Sequence, residues 1–138
     1  MSFDIGKFET LSKSEAGAEM RLINPKTGLP LLDENQTPVT ITLRGRSSQA
    51  YKAAQRIMNA RRTDMQARGV VPTEQELQND NAELLAVCTV SWSFTEMDGQ
   101  PYPPSTDNIR AFWKSDRFPW IVEQATRFVI SDGNFLAT

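Results

Sequence analysis

The spacing of apolar residues changes near Gly45, and this change constrains the fold more than any other feature of the sequence. Before it, residues 39–43 (VTITL) alternate apolar and polar side chains, the pattern of a strand with one buried face. After it, apolar residues recur at helical intervals. The sequence therefore predicts an α+β fold in a single domain, residues 1–138, with a β-rich part at 1–45 and a helical part at 46–138.

Three short strands are predicted in the β-rich part. They are expected at residues 19–23, 29–32 and 39–43. Polar turns at 24–28 (NPKTG) and 33–38 (DENQTP) separate them. Pro30 and Pro38 lack an amide donor, so their strands should lie at an edge or begin there. Because so small a sheet is not stable alone, we expect it to be antiparallel and to pack on the helices.

About four helices are predicted from their first residues. Their expected starts lie near Ser47, Thr73, Ser105 and Pro119. The second has a capping box at 73–76 (TEQE), in which a hydroxyl and a carboxylate satisfy free backbone donors. Residues 90–94 read as a short extended piece. The last helix is expected to stop at Gly133 and to leave residues 134–138 as a flexible tail.

The chain contains no histidine and a single cysteine, Cys88, which excludes histidine-dependent catalysis and nearly every zinc site. Ser-His-Asp and Cys-His catalysis are excluded, and one thiolate cannot build a tetrahedral zinc site. The acidic residues are interpreted as helix caps and a solvated face. We therefore predict no catalytic, cofactor or metal site and no enzymatic activity. An unpaired cysteine fits a reducing compartment, and no apolar run is long enough to span a bilayer.

Positive charge concentrates in one stretch although the net charge is only −2. The residues are Arg44, Arg46, Lys52, Arg56, Arg61, Arg62 and Arg68. An acidic helix follows at 74–83, so an antiparallel helical hairpin with cross-neutralised charge is the favoured interpretation. A docking face for an acidic protein segment comes second. Nucleic-acid binding comes third, because no aromatic residues interleave the arginines for base stacking.

Aromatic residues crowd the C-terminal half, where most of them must form core. Trp113, Arg117 and Trp120 nonetheless fall in one short stretch and are of the types enriched at interface hot spots. We predict a protein-binding site there, with Trp113 as an exposed anchor; the alternative is that these rings are wholly core. The arginine face from Arg44 to Arg62 is the next candidate. The predicted partner-binding residues are Trp113, Arg117, Trp120, Phe128, Phe135, Arg56, Arg61 and Arg62.

Several stretches of the chain also carry a family resemblance. The first group is 17–20 (GAEM), 24–31 (NPKTGLPL) and 38–43 (PVTITL). The second is 51–56 (YKAAQR) with 59–62 (NARR). The third runs from 83–86 (ELLA) to Trp92 and on through 98–101 (DGQP), 108–110 (NIR), 120–124 (WIVEQ) and 132–136 (DGNFL). In this layout the chain resembles the small tail assembly chaperones of long-tailed (siphovirus-like) bacteriophages.

The resemblance implies a non-enzymatic protein that binds the phage tape measure protein during tail assembly in the host cell cytoplasm. The major tail protein is a further candidate partner. Because a shielding protein would coat a long partner in many copies, weak homo-oligomers are expected. No membrane or nucleic-acid partner is predicted. Two alternatives stay open: a virion component, such as a tail-completion or head-tail joining protein retained in the particle, and a host-directed effector that uses the arginine stretch on nucleic acid.

Overall fold

The computed structural model describes residues 2–137 and has a mixed α+β architecture, as predicted. Its helices are α1 (Leu11–Ala16), α2 (Gln49–Ala67), α3 (Glu74–Cys88), α4 (Thr106–Lys114) and α5 (Pro119–Ile130). Its strands are β1 (Ala18–Arg21), β2 (Thr40–Leu43), β3 (Thr89–Trp92), β4 (Glu96–Met97) and β5 (Gln100–Pro101). Short 3₁₀ turns lie at Ile5–Phe8 and Asp132–Phe135.

The main sheet is three-stranded and antiparallel, in the order β1-β2-β3. The prediction of a third strand at residues 29–32 is wrong. That segment makes only the isolated bridges Ile23–Pro30 and Leu32–Pro38, since Pro30 has no amide hydrogen to extend a ladder. The third strand is instead β3, the extended piece expected at 90–94. The sheet thus contains strands from both sides of the predicted boundary at residue 45.

The helix starts are confirmed, and hydroxyl caps explain three of them. The Oγ atoms of Ser48 and Ser105 accept from backbone N–H groups three residues ahead, each at 3.2 Å. Thr73 Oγ1 accepts from the Glu76 N–H at 3.1 Å. The fourth helix, α5, begins with Pro119, a residue suited to the first helical position. The short helix α1 was not predicted.

The end of the chain differs from the predicted tail. Helix α5 ends at Ile130, before Gly133, and a 3₁₀ turn follows. Phe135, in that turn, is 1% exposed and packs its ring on Phe128 at 5.5 Å. The prediction of a flexible tail beginning at residue 134 is therefore wrong for the described residues, because the large ring of Phe135 is buried. Thr138 lies outside the described residues.

Both parts of the chain share one hydrophobic core. Met20, Ile41 and Leu43 of the sheet lie in one cluster with Leu85 of α3 and Val129 of α5. The α2–α3 hairpin is partly cross-neutralised, as interpreted, since Asp80 pairs with Arg61 at 3.0 Å and with Arg62 at 3.4 Å. None of the described helices combines the length and the apolar character needed to cross a bilayer.

Candidate partner-binding groove

An open apolar groove lies between the β4–β5 hairpin, the loop between β1 and β2, and the α4–α5 corner, and it encloses roughly 380 Å³. Its apolar lining includes Leu31, Val39, Met97, Phe118, Trp120 and Ile121. The exposed charged residues that line it are Glu96, Asp98 and Arg117. This groove, called the aromatic groove below, has a mostly apolar lining.

Trp120 reaches the groove because of its position on α5. Ile121, Ala125 and Val129 recur every four residues and form the buried line of this helix. Trp120 precedes that line by one residue, which rotates it about 100° around the helix axis. Its ring is accordingly only partly buried and lines the groove. Trp120 is therefore the predicted partner-binding residue that the structure places best.

Trp113 has a different environment, and the prediction of an exposed anchor there is wrong. Its side chain is 2% exposed, and its Nε1–H donates to Thr89 Oγ1 at 2.8 Å. It follows Ile109 and Phe112 on the buried face of α4. A ring held in this way is part of the core and contacts no partner directly.

Stacked rings beneath the groove fix its floor. The ring of Phe94 lies 4.7 Å from that of Trp92 and 5.5 Å from that of Phe112. Phe112 stacks in turn on Phe118 at 5.4 Å. Such ring pairs add stability beyond their buried area. The floor is therefore preorganised, with Phe118 held in place from below.

The β4–β5 hairpin forms one wall, and Arg117 ties it to the rest of the groove. Asp98 and Gly99 both have positive φ, 54° and 78°, as an Asp-Gly hairpin turn requires. The two Nη atoms of Arg117 donate to the two Asp98 carboxylate oxygens, each at 2.8 Å. This hydrogen bonding and the positive charge lower the pKa of the Asp98 carboxyl below its usual value. Arg117 thus holds the hairpin in position, because its guanidinium is bonded to Asp98.

Phe128 and Phe135 do not line the aromatic groove. Phe128 borders a shallow depression with Met20 and Gln124, and Phe135 is buried. Burial excludes Phe135 as a direct contact, so that prediction is wrong.

The predicted arginine face is largely engaged within the fold and does not join the groove. Arg61 and Arg62 share Asp80, and Arg44 donates to the backbone carbonyls of Glu15 and Val87 at 3.2 Å. Arg46 and Arg68 also form ion pairs. Arg56 is exposed and makes no ion pair with the residues that the structure describes. The local positive charge is therefore only partly neutralised, since four of these arginines pair with three carboxylates, Asp64, Asp80 and Asp132.

Sequence reasoning did not single out Leu31, Met97 or Phe118 as groove residues. Met97 precedes the Asp-Gly turn, and Phe118 precedes the proline that opens α5. Both signals predicted local structure correctly. Both side chains pack against the same core cluster, and the Arg117–Asp98 contact joins their two loops; no local pattern indicates this arrangement.

Cys88 is fully buried, and burial raises the pKa of its thiol to about 12. A thiol with so high a pKa is almost entirely protonated at neutral pH, and the thiolate is the reactive form.

Among residues 2–137, no three His, Cys, Asp or Glu side chains are grouped so that they could hold a metal ion.

We expect Cys88 to resist a disulfide-exchange thiol reagent in the native protein and to react on unfolding. The labelled fraction should rise with urea along the same curve as the circular dichroism change. A Val71→Cys variant is the matched control, because Val71 is 81% exposed and should give one rapidly labelled thiol. Rapid labelling of the unmodified protein in native buffer would contradict the buried thiol.

Comparisons of the chain with protein-family models, curated proteins and solved structures found no match. The resemblance to tail assembly chaperones therefore stays a prediction from sequence.

Proposed function

We propose that this chain is a non-enzymatic tail assembly chaperone that binds an apolar segment of the phage tape measure protein in the host cell cytoplasm. One observation carries the binding proposal: the aromatic groove is open, apolar and lined by the partly exposed ring of Trp120. The resemblance of the sequence supplies the identity of the partner.

The chemistry of the groove favours a protein segment over a small polar ligand. Small-molecule pockets orient their ligands with a few convergent polar groups. Here two of the charged groups, Arg117 and Asp98, are bound to each other. The surface that remains is apolar and aromatic, which suits the apolar face of an amphipathic helix.

A groove of this kind also fits a shielding role. Long apolar stretches are aggregation liabilities when they are exposed to water. A preorganised floor lowers the conformational cost of binding, because the stacked rings need not be ordered when the partner arrives. The chain would then keep an apolar segment soluble until it is transferred into the assembling tail.

Trp120→Ala is expected to weaken binding of the tape measure protein by about 2 kcal/mol or more, because large aromatic anchors dominate interface energies. Co-expression of the unmodified chain with the tape measure protein of the same phage should keep that partner soluble. The variant should leave most of it in the pellet. The melting curve of the variant, recorded in parallel, establishes that it folds.

Ile57→Ser provides the matched control. Ile57 is an exposed apolar residue on α2 outside the aromatic groove, so its loss should leave partner solubility unchanged. A folded Trp120→Ala variant that still solubilises the partner as well as the unmodified chain would exclude the groove as the binding site. If the tape measure protein stays insoluble even with the unmodified chain, the proposed identity of the partner is wrong.

A further inference from the structure

The segment before α1 exposes several large apolar side chains. Phe3 and Ile5 are each 73% exposed, and Phe8 and Leu11 are 44% and 54% exposed. No residue of the 3₁₀ turn Ile5–Phe8 is buried. Residues 3–11, called the leading segment below, thus present four exposed large apolar side chains that the described fold does not cover, among the exposed charged residues Asp4, Lys7 and Glu9.

The leading segment projects from a firmly held point. Ser14 is buried, and its carbonyl accepts from the Gly45 N–H at 3.1 Å. Its Oγ accepts from the Ser47 N–H, also at 3.1 Å. Glu15 Oε1 accepts from the Gln49 N–H at 2.6 Å. The chain is therefore fixed where the segment begins to leave the core.

The segment is also ordered by its own contacts. The rings of Phe3 and Phe8 stack at 5.3 Å with an interplanar angle of 14°. Asp4 Oδ1 accepts from the Gly6 N–H at 2.9 Å, and Glu9 Oε2 from the Ser12 N–H at 3.1 Å. Docking such a preformed unit loses less conformational entropy than ordering a random coil.

The fold thus holds an uncovered apolar segment and an unfilled aromatic groove, and no residue of the segment lines the groove of its own chain. We propose that the leading segment of one copy docks in the aromatic groove of a second copy, and that two copies exchange these segments reciprocally. The stacked pair of Phe3 and Phe8 supplies the rings that the groove accepts beside Trp120.

The area available argues for a reciprocal exchange. Large aromatic side chains bury roughly 150–250 Å² each, so four large apolar groups with these exposures present on the order of 500 Å². One docked segment would bury about 500 Å² of its own surface and a smaller area of the groove, which is below the size of specific interfaces. Two exchanged segments would bury about 1,000 Å² of segment surface in addition to the two groove linings, which reaches the lower limit for a specific interface. The two-fold arrangement is also the commonest symmetry of homo-oligomers.

The exchange does not rest on the identity of the tape measure protein, because it concerns this chain alone. It would nevertheless keep the aromatic groove covered while no partner is present. A partner helix would then compete with the leading segment for one surface.

Sedimentation analysis of two variants tests the exchange. In Phe3→Ser/Phe8→Ser the segment is altered, and in Met97→Glu the wall of the groove is altered. Each variant alone should raise the dimer dissociation constant on the order of 10-fold or more relative to the unmodified chain, because each lacks both segment–groove contacts. Val71→Ser, which removes an exposed apolar residue outside both surfaces, should dimerise like the unmodified chain.

Mixing the two variants gives the decisive result. The segment of Met97→Glu is intact, and so is the groove of Phe3→Ser/Phe8→Ser, so a mixed pair can form one of the two contacts. We expect the mixture to associate more tightly than either variant alone and less tightly than the unmodified chain. Circular dichroism melting of each variant shows that the loss of association is not loss of folding.

Three outcomes would overturn the exchange. The first is an unmodified chain that stays monomeric at every concentration tested. The second is a dimer that the segment variant leaves unchanged. The third is a mixture of variants that associates no better than its components. A larger assembly that both variants abolish would overturn the reciprocal two-fold arrangement.

Discussion

Trp113→Ala is expected to lower the free energy of unfolding by about 3–5 kcal/mol, the usual loss for truncating a buried aromatic ring. The ring packs edge-on against Phe112, with centroids 5.0 Å apart, and its indole N–H has a buried partner in Thr89. Truncation would leave a cavity beside Phe112 and Thr89. Urea unfolding followed by circular dichroism measures the loss directly.

Trp113→Phe separates packing from hydrogen bonding in this prediction. It restores much of the ring volume but removes the N–H that donates to Thr89 Oγ1. Thr89 retains its own donation to the Leu85 carbonyl at 2.7 Å, so we expect a smaller loss than for alanine. Most surface substitutions change the free energy of unfolding by less than about 0.5 kcal/mol. A change that small for Trp113→Ala would show that the ring is not part of the core.

Gly45→Ala is expected to cost about 2–3 kcal/mol of unfolding free energy, because the site has no room for a side chain. A Cβ atom at Gly45 would lie 2.5 Å from Ser14 Oγ and 2.9 Å from two ring carbons of Phe135. Both neighbours are themselves buried, so neither can move away freely. The same urea titration applies.

Gly133→Ala is the matched control, since a Cβ there meets nothing within 4 Å. Its free energy of unfolding should lie within about 0.5 kcal/mol of that of the unmodified chain. A second control combines Gly45→Ala with Ser14→Ala, which removes the closest atom. The double variant should then lose less than the sum of the two single losses. Equal stabilities of Gly45→Ala and Gly133→Ala would refute the steric argument.

Helix starts were predictable because the residues that set them are local. A hydroxyl cap at Ser48, Thr73 or Ser105 satisfies donors three residues ahead, so the sequence contains the whole interaction. The short helix α1 escaped prediction because its N-cap residue, Thr10, makes no side-chain cap hydrogen bond. Its last residues are held instead by contacts with residues 45–49, which lie far along the chain.

The environments of the two tryptophans were less predictable, although spacing contained part of the answer. Trp113 continues the line of Ile109 on α4, whereas Trp120 is one residue off the buried line of α5. The error came from treating both as members of one aromatic cluster. Reading each helix by its own period separates a core ring from a groove ring. The groove itself was not predictable, since it depends on two loops joined by Arg117 and Asp98.

The third strand was misassigned because a local meander looked sufficient. Residues 29–32 lie close to β1 in sequence, and short loops usually favour such pairing. Pro30 weakens that pairing, and β1 pairs directly with β2 instead. β3 adds to the other edge of β2, a non-local pairing that a single sequence pattern does not report.

The origin of β3 has a consequence for the order in which the chain folds. In sequence, the whole α2–α3 hairpin separates the central strand β2 from β3. Thr42 therefore cannot pair with Ser91 until this hairpin has been synthesised. During synthesis, β1 and β2 therefore emerge with one sheet edge unpaired, and that edge is a template for wrong pairing. The helical hairpin forms from local contacts and brings β3 to β2, which shortens a slow, non-local search. We expect neither residues 1–45 nor residues 46–138 to fold alone, because each lacks strands that the other supplies.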